Sequence, residues 1–498
     1  MNYKSTRNST ICVTSSEAIA KGLSSEGGLF VPENIPTVSL DQIKQMADLS
    51  YTQRATEILG KFLTDFTQEE LNTCINSAYT KEKFETNQIA PVHKLNDGQY
   101  ILELWHGPTC AFKDMALQIL PHLLTTSIRK LNINRETVIL VATSGDTGKA
   151  ALEGFKNVPG TKIIVFYPID GISRIQQLQM ATQDGNNVFV CAVNGNFDDA
   201  QTGVKAIFTD KEYENILFSE KKALSSANSI NWGRLSPQIV YYFSAYCDMI
   251  KANEITCGDE VNICVPTGNF GNILGAYYAK CMGLPIKKLI CASNKNNVLT
   301  DFINAGVYDR NREFFTTTSP SMDILISSNV ERLLYMVSDE NADLVKEYMD
   351  ALRETGIYTV SDKIKRKIGE NFFGGFADEE TCAKTLKDTY KNFNYVVDPH
   401  TAVAVAVHNA YVNQTGDNTK TIIASTASPF KFNGAVLNAL GNREENMRLD
   451  EFHLLEKLAK DYDLEIPMQL KALEKKEVRF ETICEKGNMK DVVNAFLN

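Results

Sequence analysis

A short apolar run meets a turn of glycine and asparagine in Asn262-Ile-Cys-Val-Pro-Thr-Gly-Asn-Phe-Gly-Asn272. The run predicts a buried strand, and residues 273–280 after the turn predict a helix. Gly268 and Gly271 would let the backbone approach an anion closely, while Asn269 and Asn272 offer side-chain donors. The glycine spacing is not the G-x-G-x-x-G of a dinucleotide site. We therefore predict a phosphate-binding turn, with a plain strand-to-helix turn as the alternative.

The same strand-then-helix pattern recurs through the chain and predicts an α/β protein, with mostly parallel sheets covered by helices. The other strand candidates are residues 137–143, 162–167, 188–193, 287–292 and 419–424. Residues 1–95 differ, because their patterns are mainly helical, and we expect them to form a separate N-terminal lobe. We divide the rest into domains of residues 96–225 and 226–498. Residues 339–367 predict surface helices, and residues 471–486 predict a solvated helical tail.

Composition narrows the class of partner. The chain has 498 residues and a formal net charge of −10, which disfavours nucleic acid or an anionic membrane as a bulk partner. Its 11 cysteines show no C-x-x-C spacing and are odd in number, so reduced thiols and a cytoplasmic location are expected, with no metal site. The first 23 residues contain no apolar segment of the kind found in signal peptides.

Two further strand-to-helix junctions are rich in small and polar residues. Thr143-Ser-Gly-Asp-Thr-Gly-Lys149 offers glycines and hydroxyls just before a helix, which suits an anion. It is not a P-loop, which needs glycine at position 143 and Ser or Thr at position 150. Ser425-Thr-Ala-Ser-Pro429 places hydroxyls at another strand end, where helix capping is the ordinary role.

Lys113 follows three apolar or small residues in Cys110-Ala-Phe-Lys-Asp114, before a helical run. A lysine in apolar surroundings has a lowered pKa, as an amine that forms an imine requires. Taken alone, however, a Lys-Asp pair at a helix start is usually a surface ion pair.

Together these segments resemble the threonine synthase family of fold type II (tryptophan-synthase-β-like) pyridoxal-5′-phosphate enzymes. The resemblance runs through most of the chain in order. Its motifs are Tyr3-Lys-Ser-Thr-Arg7, Gly27-Gly-Leu-Phe-Val-Pro-Glu33, His106-Gly-Pro-Thr109 with Phe112-Lys-Asp114, Ser144-Gly-Asp-Thr-Gly148, Asn231-Trp-Gly-Arg234, Pro266-Thr-Gly-Asn-Phe-Gly271, Asp398-Pro-His-Thr-Ala402 and Ser425-Thr-Ala427. Ser428 stands where many members of the family have histidine, and Pro121 interrupts the helix after Lys113.

The resemblance implies a cofactor, a substrate and a set of site residues. Lys113 would be the catalytic lysine and would hold pyridoxal phosphate as a Schiff base. Further cofactor ligands would be Gly268, Asn269, Phe270 and Asn272 at the phosphate and Thr426 at the pyridine nitrogen. Ser144, Asp146 and Thr147 would lie in the loop for the substrate carboxylate, and Asn231 and Arg234 would bind the substrate phosphate.

The reaction that the resemblance implies is the conversion of O-phospho-L-homoserine and water to L-threonine and phosphate, by a lyase acting as a monomer or homodimer. Two alternatives stay open. Another pyridoxal phosphate lyase of this fold, such as a phospho-amino-acid β-eliminase or a dehydratase, would share the cofactor motifs and differ at the substrate phosphate. A non-catalytic ligand sensor is a different class, against which the retained Lys113 argues.

Overall fold

The computed structural model describes residues 1–143, 145–169, 172–441 and 443–497. Strands in these ranges fall close to the predicted runs. In chain order they are β1 (Asn2–Ser5), β2 (Asn8–Thr14), β3 (Phe30–Pro32), β4 (Val92–Lys94), β5 (Gln99–Glu103), β6 (Glu136–Ala142), β7 (Thr161–Pro168), β8 (Val188–Asn194), β9 (Lys222–Ser225), β10 (Val261–Pro266), β11 (Ile286–Ser293), β12 (Val307–Asp309), β13 (Ile357–Thr359), β14 (Phe372–Phe376), β15 (Thr421–Ser425) and β16 (Ile483–Glu485).

Helices alternate with the strands through the middle of the chain. They are α1 (Ser15–Lys21), α2 (Leu40–Met46), α3 (Tyr51–Phe62), α4 (Gln68–Ala78), α5 (Asp114–Leu117), α6 (Leu120–Lys130), α7 (Asp146–Phe155), α8 (Arg174–Ala181), α9 (Phe197–Thr209), α10 (Lys211–Ser219), α11 (Trp232–Leu235), α12 (Pro237–Lys251), α13 (Gly271–Cys281), α14 (Val298–Ala305), α15 (Val330–Val337), α16 (Ala342–Glu354), α17 (Asp362–Asn371), α18 (Glu379–Phe393), α19 (Pro399–Thr415), α20 (Asn433–Leu440), α21 (Arg443–Asn446), α22 (Glu451–Tyr462), α23 (Met468–Lys471) and α24 (Met489–Leu497). Within the described ranges, no helix is both long and apolar enough to cross a membrane.

Two mainly parallel sheets form the centre of the molecule, as predicted. The larger has strand order β14-β11-β10-β15-β5-β4, and only β4 runs antiparallel to its neighbour. The smaller has order β16-β8-β7-β6-β9 and is parallel throughout. Every residue of β10 is buried, which explains its continuous apolar run. Parallel strands end at the same edge of their sheet, so the loops after β5, β10 and β15 emerge together.

The N-terminal lobe combines a small antiparallel sheet, β2-β1-β3, with helices α1 to α4. Each of these four helices starts with a Ser or Thr whose side chain caps it, paired with a Glu or Gln three residues later. The mainly helical character predicted for this lobe is present, and the caps help to set where each helix begins. The strands β1 and β2 were missed, because their short polar sequences lack a clear alternation.

The prediction of a helical tail at residues 471–486 is wrong. A short 3₁₀ turn over Ala472–Lys475 is followed by irregular chain and then by β16, which pairs in parallel with β8. Cys484 of β16 is buried among the side chains that cover this sheet, so burial against β8 overrides the polar local sequence. The C-terminal segment therefore adds a strand to the smaller sheet, and β5 joins the larger one. β5 and β16 therefore each pair with a strand from the other predicted domain. The domain limits remain a prediction.

Pro121 lies in the first turn of α6, after a break that separates α5 from α6. Its missing N–H is harmless at this position, whereas inside a continuous helix it would remove a hydrogen bond. The interruption expected from the sequence is confirmed. As a result, α5 is a single turn that carries the chain away from Lys113.

Gly154 lets α7 pack directly on α5. A methyl group built on it would lie 2.0 Å from the carbonyl oxygen of Leu117, far inside van der Waals contact. We predict that Gly154→Ala lowers the melting temperature, with overpacking of about 1–3 kcal/mol outweighing the better helix propensity of alanine. Gly369→Ala in α17 is the matched control, because its methyl group meets no atom within 4 Å and should raise the melting temperature slightly. A melting temperature of Gly154→Ala equal to that of the control would contradict the prediction.

Candidate active site

The backbone around Lys113 is fixed to the loop that follows β15. The Phe112 N–H donates to the Thr426 carbonyl at 2.8 Å, and Ala111 forms an isolated antiparallel bridge with Ala427. The strands that lead into the two loops, β5 and β15, are direct neighbours. Lys113 is thus carried by rigid elements rather than by a free loop.

The Lys113 amine lies inside the molecule, with its side chain only 10% exposed. Its Nζ donates to Ser321 Oγ at 3.0 Å and lies 3.6 Å from Asp146 Oδ2. Burial lowers the pKa of Lys113 to about 8; Asp146 opposes this shift, while Arg234 and Lys431 reinforce it. The lowered pKa predicted from the apolar sequence is present, and it leaves a useful fraction of neutral amine near pH 8.

Asp114 is not the partner of Lys113. Its carboxylate is fully buried and accepts hydrogen bonds from the Thr109 N–H and the Thr109 hydroxyl, both at 2.8 Å. Burial raises the pKa of Asp114 to about 7 in spite of those two bonds. The hypothesis of a surface Lys-Asp ion pair is therefore wrong. Asp114 instead stabilises the turn that precedes Lys113, through its two hydrogen bonds with Thr109.

The turn after β10 (residues 268–272), here called the phosphate cup, has the free backbone donors that a phosphate-binding turn requires. The backbone N–H groups of residues 268 to 272 donate to no acceptor in the described part of the chain. Phe270 adopts a left-handed conformation (φ 62°), a conformation uncommon for a bulky residue, and α13 starts directly after it. Five free donors at the N-terminus of an 11-residue helix make a site for a phosphate group.

Asn272 adds a side-chain donor to this cup. Its Oδ1 accepts a hydrogen bond from the Tyr241 hydroxyl at 2.6 Å and a second one from Tyr242. Its Nδ2 is buried and has no partner among the described residues. A buried amide donor without an acceptor is costly unless a ligand completes it. Asn269 of the same turn has an exposed side chain.

A second set of free N–H groups opens at the start of α7. The N–H groups of Asp146 and Thr147 donate to no described residue, and Gly145 before them has φ 137°, which favours glycine. A substrate carboxylate fits these donors. The Asp146 carboxylate itself repels another anion, so only its backbone serves such a role. Ser144, predicted for the same loop, lies outside the described residues.

The Asp146 carboxylate lies between two lysines. Lys431 Nζ approaches Oδ1 at 2.7 Å, and Gln176 Nε2 donates to the same oxygen at 2.9 Å. The other oxygen faces Lys113 and accepts a hydrogen bond from the Ser321 hydroxyl at 3.2 Å. Burial would raise the pKa of Asp146, but the two ammonium groups outweigh it and hold the pKa far below its usual range. Asp146 is therefore a carboxylate in this site at all ordinary pH values.

Arg234 is a buried cation without an anion. Its Nη1 donates to the Ala227 carbonyl at 2.6 Å, and no described carboxylate lies within 4 Å. Burial lowers the pKa of Arg234 to about 10, so it remains charged. A buried charge that lacks a protein partner is expected where a ligand supplies one.

Asn231, predicted beside Arg234 as a phosphate ligand, has another role in this structure. Its Oδ1 caps α11 by accepting from the Gly233 N–H at 2.8 Å, and its Nδ2 donates to the Ile19 carbonyl at 3.0 Å. Both ends of the amide are thus occupied by backbone groups. The assignment of Asn231 as a phosphate ligand stays a prediction. The Arg234 guanidinium, by contrast, has no described carboxylate partner and could bind an anion.

One cleft joins most of the predicted residues. Among its lining residues are Lys113, Thr147, Arg234, Gly268, Asn269, Phe270, Asn272 and Thr426. Asp146 touches Lys113 from just behind this surface. The hydroxyl of Thr426 forms no hydrogen bond with a described residue, so it is free to meet a ring nitrogen. Residues far apart in sequence therefore converge as expected.

Sequence reasoning missed other residues that line the cleft, among them Ser229, Ser321, Met322 and His400. Ser321 lies in a single 3₁₀ turn, Pro320–Met322, before α15, and no recognisable sequence pattern surrounds it. His400 had a signal, because it lies in the Asp398-Pro-His-Thr motif. Its Nδ1 lies 2.6 Å from Asp398 Oδ2, and its Nε2 accepts from the Ser321 N–H at 3.2 Å. Asp398 thus fixes the tautomer of a histidine that holds the Ser321 turn in the cleft.

Three family models cover nearly the whole chain. Threonine synthase N terminus matches residues 2–79, pyridoxal-phosphate dependent enzyme matches residues 85–426, and threonine synthase, C-terminal, matches residues 401–495. The fold and cleft thus define a fold type II pyridoxal phosphate enzyme. The chain belongs to the threonine synthase family, as its motifs indicated.

Individual relatives agree with this assignment. The chain is 42% identical to human threonine synthase-like 1 over 86% of its own length, but it spans only 58% of that protein. It is 37% identical to the threonine synthase of Pseudomonas aeruginosa, covering 88% of this chain and 90% of that one. The crystal structure of pyridoxal-phosphate-bound threonine synthase from Brucella melitensis superposes with a TM-score of 0.88 at 33% identity, over 100% of this chain and 98% of that one.

The residues present fit pyridoxal phosphate, the cofactor of this family. Five free N–H groups and the orphaned Asn272 amide match a phosphate monoester. The Lys113 amine, with its lowered pKa, matches an aldehyde, and the free Thr426 hydroxyl matches a pyridine nitrogen. Gly268, Asn269 and Phe270 supply the backbone of the phosphate cup.

His106 braces the segment that leads to Lys113. Its Nε2 lies 2.6 Å from Glu103 Oε2, and its Nδ1 lies 3.5 Å from Glu85 Oε2. Burial alone would lower its pKa, but the two carboxylates outweigh burial and raise the pKa of His106 to about 9. A histidine with a raised pKa stabilises the fold below its unfolded pKa of about 6.5, and this contribution is lost as the pH rises through 9.

We predict that His106→Gln lowers the melting temperature strongly at pH 6 and much less at pH 10. His122→Gln is the matched control, because burial and Lys83 lower the pKa of His122 to about 4 and leave it neutral over this range. The melting temperatures of both variants and the wild type, measured between pH 6 and pH 10, check this. A deficit of His106→Gln that does not shrink with pH would contradict the charged role.

Proposed function

We propose that this protein is a threonine synthase, which converts O-phospho-L-homoserine and water to L-threonine and phosphate. The observation that carries the proposal is that three separate groups of donors suited to an anion meet at one cleft. They are the N–H groups of residues 268–272, the N–H groups of Asp146 and Thr147, and the unpaired Arg234. The cofactor phosphate takes one, which leaves two for a substrate that carries both a carboxylate and a phosphate.

The number of anion sites distinguishes the proposed synthase from a dehydratase, one of its two nearest alternatives. A dehydratase acting on serine or threonine needs a carboxylate site but has no second phosphate to bind. A buried Arg234 without a carboxylate partner would then have no function and a large desolvation cost. A β-eliminase acting on a phospho-amino acid shares all three sites, and only its products distinguish it.

Different residues of the chain bind the substrate and move its protons. Arg234 binds the substrate phosphate, and the start of α7 binds the carboxylate. Pyridoxal phosphate, once joined to the amino group of the substrate in place of Lys113, would withdraw electrons from the substrate and so acidify the C–H bonds near that group. The Lys113 amine, released by substrate, is the base placed to move protons at Cα and Cβ, a role worth about 10²–10⁴-fold in rate. Thr426, a neutral hydroxyl, would face the ring nitrogen of the cofactor and leave it without a proton.

The direct test incubates the purified protein and pyridoxal phosphate with O-phospho-L-homoserine and measures threonine and phosphate together. Equal amounts of both products are expected. Phosphate with a keto acid such as 2-oxobutyrate, and no threonine, would establish the lyase alternative instead. A protein that stays colourless after addition of pyridoxal phosphate would support the ligand-sensor class.

Lys113→Ala is expected to abolish turnover and the visible absorbance of the bound cofactor, since Lys113 is the one lysine among the described residues that line the cleft. Turnover and the absorption spectrum are both measured, with circular dichroism to show that the variant is folded. Near-normal turnover in the folded variant would refute the assignment of the lysine.

Arg234→Gln is expected to raise KM for O-phospho-L-homoserine by about 10- to 150-fold, the equivalent of one lost charged hydrogen bond of about 1.5–3 kcal/mol. Its cofactor absorbance should be unchanged, because the cofactor phosphate occupies the cup at residues 268–272. An unchanged KM would show that the substrate phosphate binds elsewhere.

We further propose a cytoplasmic location and a monomer or homodimer without nucleic acid or membrane as a partner. All 11 cysteines are free thiols, which suits a reducing compartment. The acidic net charge supports the absence of a nucleic acid partner. Cell fractionation and light scattering of the purified protein would test these two points.

A further inference from the structure

Lys431 joins three segments of the cleft through one ammonium group. Its side chain is completely buried, and it lies in a short 3₁₀ helix, Pro429–Phe432, between β15 and α20. Its Nζ lies 2.7 Å from Asp146 Oδ1 at the start of α7 and donates to the Thr109 carbonyl at 2.9 Å. Thr109 belongs to the turn that precedes Lys113. Among the described residues, Asp146 is the one carboxylate within 4 Å of this ammonium.

The charges around Asp146 do not balance within the cleft. One buried carboxylate faces two buried ammonium groups, Lys113 and Lys431, which lie against different oxygens. The Lys431 contact is shorter by 0.9 Å and is joined by the Gln176 amide on the same oxygen. Lys113 therefore shares the carboxylate at the longer distance and through its second oxygen. Because the interior screens charge poorly, this division matters for the proton on Lys113.

We propose that Lys431 is a positioning residue that holds Asp146 by one oxygen, so that Lys113 shares only the other and can release its proton. The inference rests on the proposed function only in that Lys113 must be the cofactor lysine. Without Lys431, Asp146 would be free to turn its whole charge towards Lys113. A protonated lysine amine cannot act as a nucleophile or as a base, so the cleft needs a competitor for Asp146.

The directions of the pKa shifts agree with this geometry. Burial has the largest effect on Lys113 and lowers its pKa, Asp146 raises it, and the charges of Arg234 and Lys431 lower it again. For Asp146, Lys431 has the largest effect among the groups that lower its pKa, ahead of Lys113. Lys431 therefore acts on Lys113 both directly, by repulsion, and indirectly, through Asp146.

The test follows the visible absorbance of the bound cofactor in the holoenzyme from pH 6 to pH 10. This absorbance reports the proton on the nitrogen of residue 113 and does not require turnover. In Lys431→Gln, the midpoint of the titration should rise by at least about one pH unit relative to wild type, since Asp146 then pairs with residue 113 alone. Lys431→Arg keeps the charge and should restore a midpoint close to wild type.

Two further variants separate this effect from a general loss of structure. Asp146→Asn added to Lys431→Gln should remove the upward shift, because no carboxylate is left to hold the proton. Lys149→Gln is the matched control: Lys149 is also buried, belongs to α7 and lies 3.1 Å from a carboxylate, that of Glu153, but it does not touch Asp146. Its midpoint should equal that of wild type.

Several results would overturn the proposal. They are an unchanged or lower midpoint in Lys431→Gln, an equal shift in Lys149→Gln, or a wild-type protein without a midpoint in this range. If Lys431→Gln does not fold, Asp146→Asn alone decides, because it should lower the midpoint and an unchanged value contradicts the proposal. Absence of the cofactor band in the wild type would instead refute the proposed function, so the two failures are distinguishable.

Discussion

Parallel strands deliver their carboxyl ends to one edge of a sheet, and the organisation of this cleft depends on that constraint. β5, β10 and β15 belong to the same sheet, so the segments that carry Lys113, the phosphate cup and Thr426 are neighbours although they are distant in sequence. In the second sheet, the chain runs from β6 into α7, and Asp146 is the first residue of α7. The contacts of Asp146 with Lys113 and Lys431 join the two sheets at their functional edges.

Electrostatics then determines what this edge can bind. Two helix starts present N–H groups that have no protein acceptor in the described ranges, and Arg234 has no carboxylate beside it. Among the described residues, Asp146 is the one carboxylate in contact with the Lys113 amine, and it already lies against Lys431. The cleft therefore has an excess of positive charge on a protein whose net charge is −10. Local selection of anions is independent of overall charge, because buried groups are screened much less than surface groups.

Much of the fold and part of the cleft could be predicted from the sequence, for physical reasons. The strand at residues 262–266 and the mainly helical character of the N-terminal lobe could be predicted because burial leaves a local hydrophobic pattern. The glycines of the phosphate cup had a clear reason as well, since a close backbone approach needs them. β16 was missed, because its pairing with β8 is a long-range contact that the polar sequence around Ile483 does not reveal.

The roles of individual charges were the least predictable part. Asp114 follows Lys113 directly but bonds to Thr109, whereas the actual partner Asp146 is 33 residues further along the chain. Lys431 and Ser321 gave no signal at all, because their contacts exist only after both sheets have formed. The central claim is that Lys113 is the cofactor lysine. Reduction of the holoprotein with borohydride, followed by digestion and mass spectrometry, tests it most directly. The account predicts a pyridoxyl group on the peptide that contains Lys113, and modification of Lys431 or any other lysine in its place would contradict it.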